Sequence, residues 1–324
     1  MAHSVLVTGA AGFLGRAFVR HHLAAGDVVS GVDDLSNIHS YWPVELGDRF
    51  RCEVDAGEWI ASRREAKEPY DIAYHFAAPV GGRMKIEGDP MFNADSLRLD
   101  SQFFRWAVGQ RVPTVVYPSS SAVYGVNYQA QHANSLSEDL FSASKPNWFA
   151  PDEMYGFTKL VGEFLAWKSA TYGLNTLCIR PFSGYGEEQS LEYPVPSIAL
   201  RAARREDPLV IWGSGDQTRD FIHVSDLVAA TVARLDAGVE GYVAMNIGSG
   251  VATSFRAVAA IFAELAGYSP VIISDEGKPQ GVLNRWSDNT VMLSYHEPAV
   301  DLRDGLRAVL EHVAVTHARE VARV

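Results

Sequence analysis

Short runs rich in β-branched and aromatic residues alternate with longer amphipathic stretches through the first two thirds of the chain. Residues 5–8, 28–32, 50–54, 72–76, 112–117 and 176–180 read as buried strands. Between them, residues 16–25, 59–68 and 155–172 repeat apolar positions at helical spacing. This alternation predicts an α/β fold, a doubly wound parallel sheet with helices on both faces. Beyond Pro181 the rhythm breaks into shorter elements separated by Pro- and Gly-containing stretches (RPFSGYGEE, EYPVPS, DEGKPQGV). Residues 254–266 still carry apolar side chains at Phe255, Val258, Ile261, Phe262 and Leu265, the spacing of a helix. The expected organisation is a sheet domain over residues 1–180, rejoined by segments near 221–248, and a smaller α/β lobe over residues 181–324. The connection 126–154 has little periodicity of its own, and connections of that length tend to be functional.

Composition narrows the class. The 324 residues are 47% hydrophobic and 21% charged, ordinary for a globular protein. The 39 acidic and 28 basic side chains leave a net charge of -11, which repels nucleic acid and anionic membrane, and no basic patch offsets it. No apolar run is long enough to span a bilayer, and the N-terminus runs directly into a strand and a glycine turn where a secretory signal would need a basic start and an apolar core. Cys52 and Cys178 lie in strand-like contexts and are too few for a cysteine-rich metal site. The ten histidines show no metal-ligand spacing, and His75 and His223, in strand-like contexts, are expected to be hydrogen-bonded structural groups. The expectation is a cytoplasmic protein without a metal centre.

The chemistry begins at VTGAAGFLG. Gly9, Gly12 and Gly15 follow a strand and open a helix, so backbone amides and a helix N-terminus can approach a pyrophosphate, as in a Rossmann-type fold. Asp33 ends the second strand 18 residues beyond Gly15, where a carboxylate can accept hydrogen bonds from the adenosine ribose. A carboxylate there disfavours a 2′-phosphate and VDDLSN has no arginine, so NAD is expected over NADP. Tyr155 and Lys159 form Y-x-x-x-K, a spacing that places phenol and ammonium on one helix face. The run YPSSSAVYG ends the preceding strand and offers hydroxyl groups at the carboxyl edge, where doubly wound sheets bind ligands.

In order along the chain, VTGAAGFLG, VDDLSN, YHFAA, PSSSAVYG, YGFTK, IRPFSGYG, GSGDQTRDFIHVSDL, NIGSG and KPQGVLNRWSD resemble the extended short-chain dehydrogenase/reductases that act on nucleotide sugars. The resemblance runs nearly end to end. It implies that Tyr155 is the catalytic base, that Lys159 bonds the nicotinamide ribose and lowers the phenol pKa, and that Ser120 hydrogen-bonds the sugar oxygen. It assigns the tightly bound, recycled NAD to Gly9, Gly12, Phe13, Leu14, Gly15, Asp33, Asp34, Asn37, Asp55, Ala56, Phe76, Ala77, Ala78, Tyr155, Lys159 and Pro181. It assigns a UDP- or GDP-linked sugar to Arg83, Ser121, Ser183, Arg219 and Arg285, the arginines because a planar guanidinium can donate two hydrogen bonds to one phosphate. Arg219 has a competing reading as a surface ion-pair partner of Asp216 or Asp220, and Arg83 one as a solvated loop residue. A homodimer through the helices over 97–109 and 155–172 is also implied.

The positions after Ser120 separate the chemistries within this family. Its 4,6-dehydratases carry an Asp-Glu pair there, and this chain has Ser121 and Ala122. The GDP-mannose 3,5-epimerases resemble this chain at KPQGVLNRWSDNT, IWGSGDQTR and PVGGRM, but their catalytic cysteine falls at Ala122, and no lysine lies between Arg180 and Arg219 to supply their second acid/base group. The expected reaction is therefore epimerisation at carbon 4 through a 4-keto sugar. The alternative is a 3,5-epimerase-like, dehydratase or reductase activity on the same class of substrate.

Overall fold

A computed structural model describes residues 2–37, 40–44, 51–63, 70–79, 81–89, 91–129, 134–140 and 151–321. The first half runs β1 (Ser4–Thr8), α1 (Phe13–Ala25), β2 (Val28–Asp33), β3 (Arg51–Glu53), α2 (Ala56–Ser62), β4 (Ile72–His75), α3 (Arg83–Gly88), α4 (Asp95–Gln110), β5 (Thr114–Pro118) and α5 (Glu153–Ser169). It continues with β6 (Asn175–Pro181), β7 (Ser183–Tyr185), α6 (Pro194–Ala203), β8 (Leu209–Trp212), β9 (Thr218–His223), α7 (Val224–Asp236) and β10 (Tyr242–Ile247). The chain ends with β11 (Ala252–Ser254), α8 (Phe255–Leu265), β12 (Ile272–Asp275), β13 (Asn284–Arg285), α9 (Thr290–Leu293) and α10 (Leu302–Val321). The start of the strand expected over 50–54, the end of the helix expected over 59–68 and part of the connection 126–154 lie outside the described residues.

Seven strands form one parallel sheet in the order β10-β6-β5-β4-β1-β2-β3, so the winding reverses between β1 and β4. The two-residue period of a strand explains both faces. Val5, Val7, Tyr74, Val116, Leu177 and Ile179 point into one apolar cluster with Phe18 and Val19 of α1 and Leu227 of α7. Their neighbours Leu6, Ala73, Val115, Tyr117 and Cys178 point into the other, with Trp59 of α2 and Phe103 and Trp106 of α4. A third cluster gathers Ile198 of α6, Leu209 of β8, Val258 and Phe262 of α8 and Leu306 and Val309 of α10. It supports two smaller sheets, one in the order β11-β9-β13 with β7 also against β9, the other pairing β12 with β8. Among the described residues no helix is long and apolar enough to cross a membrane.

Two strand-end histidines are fixed by hydrogen bonds. His75 is buried, stacks on Phe103 with ring centres 3.9 Å apart, and places Nδ1 2.9 Å from Thr8 Oγ1. His223 caps α7 and lies 2.7 Å from Ser225 Oγ and 3.2 Å from Glu187 Oε2.

Helix α5 is seated against the sheet by a buried ion pair. Arg180 of β6 donates from Nε to Glu163 Oε1 at 2.8 Å and from Nη2 to Oε2 at 2.7 Å, and neither side chain has exposed surface. Gly162, beside Glu163, faces the ring of Tyr117; a Cβ there would lie 1.9 Å from the Tyr117 hydroxyl. Replacing one partner of a buried pair strands the other charge. Glu163→Gln is expected to lower the unfolding free energy by about 3–5 kcal/mol, read as a lower midpoint in urea with an unchanged slope.

Candidate active site

At the carboxyl edge of β1, β2 and β4 lies a cleft of about 570 Å³. Gly9, Gly12, Phe13, Asp33, Asp34, Asn37, Asp55, Ala56, Phe76, Ala77 and Ala78 all line it. The turn after β1 admits only glycine at its tightest points. Gly9 has φ +70°, and a Cβ on it would lie 2.5 Å from the carbonyl carbon of Phe76; a Cβ on Gly15 would lie 2.0 Å from Gly9 O. This packing brings the first turn of α1 close under the cleft, the cradle a pyrophosphate requires. Asp33 accepts amide hydrogen bonds from Ala11 at 3.0 Å and Leu35 at 2.9 Å. Burial nevertheless pushes its carboxyl above the usual range, with the two amides pulling the other way. Each carboxylate oxygen keeps a lone pair for a ribose hydroxyl. Asp55 is committed in part to capping α2, accepting from Glu58 N at 3.0 Å. Leu14, Gly15, Tyr155, Lys159 and Pro181 are not among the residues lining this cleft: Leu14 packs against the core, Gly15 supports the turn, Tyr155 and Lys159 lie on α5 and Pro181 ends β6.

Beyond this cleft β5 delivers a row of hydroxyls. Ser119 donates to Glu163 Oε1, while Ser120 caps the short 3-10 turn Ser121–Val123, its Oγ accepting from Ala122 N at 3.1 Å. That acceptance leaves the Ser120 hydroxyl proton available to another acceptor. Helix α5 packs on the same turn: Asp152 N donates to Ala122 O at 2.9 Å, and a Cβ on Gly156 would lie 2.3 Å from that oxygen. The start of α5, with Tyr155, is thereby fixed against the turn that follows β5. Lys159 is 5% exposed, with Nζ 5.9 Å from the Tyr155 ring centre and 5.2 Å from that of Tyr117. Tyr193, whose phenol burial drives up, also lines the cleft.

A cluster of guanidinium groups adjoins this centre. Arg83 Nη1 donates to both oxygens of Asp152, at 3.0 and 2.9 Å, and Arg285 Nη2 donates to Asp152 Oδ2 at 2.7 Å. Arg219 gives Nη1 to the carbonyls of Thr218 and Val282, at 2.7 and 2.9 Å. Its alternative partners are engaged elsewhere: Asp216 with Arg256 and Asp220 with Ser249 and Ser287. The reading of Arg219 as a surface ion-pair residue is thereby set aside, and Arg83 is no solvated loop residue. Ser121 is buried at the start of the 3-10 turn, and Ser183 opens β7 opposite Phe221 of β9.

Residues 5–248 match the profile of the NAD dependent epimerase/dehydratase family. The chain belongs to that family. It is 33% identical over 263 residues to the UDP-glucose 4-epimerase of Mycolicibacterium smegmatis, covering 78% of this chain and 79% of that protein. It is 29% identical to the UDP-N-acetyl-alpha-D-glucosaminuronate decarboxylase of Bacillus cytotoxicus, covering 96% of this chain and 98% of that protein. Among solved structures, MoeE5 in complex with UDP-glucose and NAD superposes with a TM-score of 0.80 at 29% identity, over 97% of this chain and 99% of that one. The parallel sheet, the glycine turn and the expected NAD cofactor are thus those of the NAD dependent epimerase/dehydratase family.

The family's motifs left some functional groups unread. Glu188, Ser190, Glu192 and Tyr193, after β7, also line the cleft. Arg20 Nη1 and Nη2 donate to Glu188 at 2.8 and 2.9 Å, Arg16 Nε donates at 3.1 Å, and Arg16 Nη2 reaches Glu188 O at 3.0 Å. Arg16 also stacks 3.9 Å over the Tyr41 ring. The signal for Arg16 was its place directly after Gly15; nothing in the sequence pointed to Glu188. Asp152 could have been found as an N-cap carboxylate three residues before Tyr155.

Although burial opposes its charge, Arg20, Tyr41 and Arg16 hold the Glu188 carboxyl down at about 2. A carboxyl depressed from 4.5 contributes stability that is full above that value and is lost as pH falls through about 2. Glu188→Gln is expected to lower the melting temperature at pH 7, with the gap to wild type narrowing as pH drops below about 4.5; parallel melts from pH 7 to pH 3 check this.

Proposed function

We propose that the protein epimerises a nucleotide-diphosphate sugar at carbon 4, with NAD as a retained cofactor. What supports the reading is that Lys159 lies near the rings of both Tyr155 and Tyr117, on a helix whose start packs on the turn that Ser120 caps, with no carboxylate or thiol at Ser121 or Ala122. The 33% identical relative named as a UDP-glucose 4-epimerase supports the same choice. Tyr155, as phenolate, takes the proton of the sugar 4-hydroxyl. Lys159 stabilises that phenolate through its charge and, near the ribose, orients the dinucleotide. Ser120, its Oγ already accepting from Ala122 N, donates to the sugar oxygen and so fixes the sugar relative to the base.

The residues lining the cleft would hold NAD: the glycine turn at the pyrophosphate, Asp33 at the adenosine ribose, Asp55 and Ala56 at the adenine end. NAD supplies a reversible acceptor of hydride from the sugar carbon. Arg219 and Arg285 take the substrate diphosphate, leaving the sugar able to turn over and present its opposite face. Tyr155 then returns its proton to the oxygen, so the reaction is redox-neutral overall.

The protein as purified is expected to carry dinucleotide detectable by mass spectrometry and, without added cofactor, to interconvert the C4 epimers of one member of a panel of UDP- and GDP-sugars. Tyr155→Phe is expected to lower kcat by about 10²–10⁴-fold. Turnover that requires added NAD(P)H would replace this reading with a reductase.

A further inference from the structure

We propose that Glu188 is a latch for the dinucleotide: by tying the segment after β7 to α1, it sets how fast NAD enters and leaves the cleft. The inference rests on the retained cofactor of the reading above and names the residue that retains it.

The strap joins two walls that are distant in sequence. Gly12, Phe13 and Arg16 line the cleft from the glycine turn and α1, and Glu188, Ser190 and Tyr193 line it from the segment between β7 and α6. Arg16 N donates to Gly12 O at 2.9 Å, so Arg16 stands one helical turn from the glycine expected at the pyrophosphate. Across the join, Arg20 meets the Glu188 carboxylate as a bidentate pair, Nη1 to Oε2 at 2.8 Å and Nη2 to Oε1 at 2.9 Å. Arg16 adds Nε to Oε2 at 3.1 Å and Nη2 to the Glu188 carbonyl at 3.0 Å, and the Tyr41 hydroxyl donates to the same carboxylate. Arg16 and Glu188 both line the cleft and bond each other, so the cleft is bridged at this point.

The segment that carries Glu188 is pinned at both ends. A Cβ on Gly186 would lie 2.8 Å from Val224 Cγ1 and 3.3 Å from Phe13 Cζ, which fixes its exit from β7. At the other end Pro194 starts α6, with its backbone angle already set for a helix. The neighbours of Glu188 turn back: Glu187 Oε2 lies 3.2 Å from His223 Nε2, and Gln189 Nε2 donates to Gly184 O at 2.9 Å. Glu188 itself reaches across to α1.

The chemistry is that of a cross-link and not of a ligand contact. Arg16 is 1% exposed, and its Nε, Nη1 and Nη2 all have protein partners, Nη1 donating to Ala11 O. Glu188 is a carboxylate, which a diphosphate repels. Opening the cleft here breaks the bidentate pair and the Arg16 bonds together, and charge-assisted hydrogen bonds are the strong ones. A barrier of this kind slows entry and exit alike. The affinity for NAD is left to the glycine turn and Asp33.

The test follows NAD exchange in the holoenzyme. Protein carrying unlabelled NAD is mixed with an excess of isotopically labelled NAD, and replacement of the bound dinucleotide is timed by mass spectrometry after rapid gel filtration. Kd is measured by equilibrium dialysis. Glu188→Gln and Arg20→Gln are each expected to speed exchange about tenfold or more, while Kd changes by less than about threefold. The double variant is expected to exchange no faster than Glu188→Gln, because both changes remove the same pair. Exchange as slow in both folded variants as in wild type would overturn the latch and leave a structural ion pair. A Kd that rises as fast as the exchange rate would overturn it too, by making Glu188 part of the binding surface. Should Glu188→Gln fail to fold, Arg20→Gln, whose side chain is 36% exposed, decides alone. Wild-type exchange complete within the mixing time would overturn the retained cofactor and the latch together.

Discussion

Glu163 has no exposed surface, and four donor groups from two strands and a strand exit converge on its carboxylate: Arg180 twice, Ser119 and Tyr242. Burying a charge is tolerable only when its hydrogen bonds are made, so this carboxylate fixes the distance between α5 and the sheet. Tyr155, Lys159 and Glu163 recur every fourth residue and so share one stripe of the helix. Whatever sets Glu163 sets the other two. The Arg180 guanidinium passes the constraint on, donating to the Tyr124 hydroxyl at 2.9 Å, which donates to Asn246 Oδ1 at 2.7 Å. Ser120 sits between the two anchored points, Ser119 and Tyr124. The placement of Ser120 and of the α5 stripe that carries Tyr155 and Lys159 is inherited from this buried polar network.

Parts of this molecule that depend on local rules were legible in the sequence. Six of the seven strands of the large sheet and α1 announce themselves by period and by the glycine turn, and Tyr155–Lys159 by helical spacing; β10, Tyr242–Ile247, was not read as a strand. Element ends moved by one to three residues, because the start of α1 is set by close packing of Gly12 and Gly15, which propensity does not encode. What was hidden is non-local. Asp152 lies in a stretch without periodicity, and its partners Arg83 and Arg285 are 69 and 133 residues away. The choice between a phosphate role and a surface ion pair for Arg219 needed the carbonyls of Thr218 and Val282, contacts that no spacing along the chain predicts.

Charge behaves the same way. The chain carries -11 overall, yet the guanidiniums of Arg83 and Arg285 meet at Asp152, at the start of α5, with Arg219 close to Arg83. A net charge describes the far field, which salt screens over about 8–10 Å. At contact distance the field is set by which side chains the fold brings together.

The strap at Glu188 has a further consequence for how the cleft comes into being. Arg16 and Glu188 are 172 residues apart, the first on the earliest helix and the second beyond the sixth strand of the sheet. Floor and roof are therefore made at different times during synthesis. A nascent chain that has emerged only through β6 holds the glycine turn, Asp33 and α5, but not the segment that bonds back to α1. The cleft acquires its second wall only when the following segment crosses back to α1, so its completion is a late, long-range closure whose cost in chain entropy is met by several charged hydrogen bonds made at once.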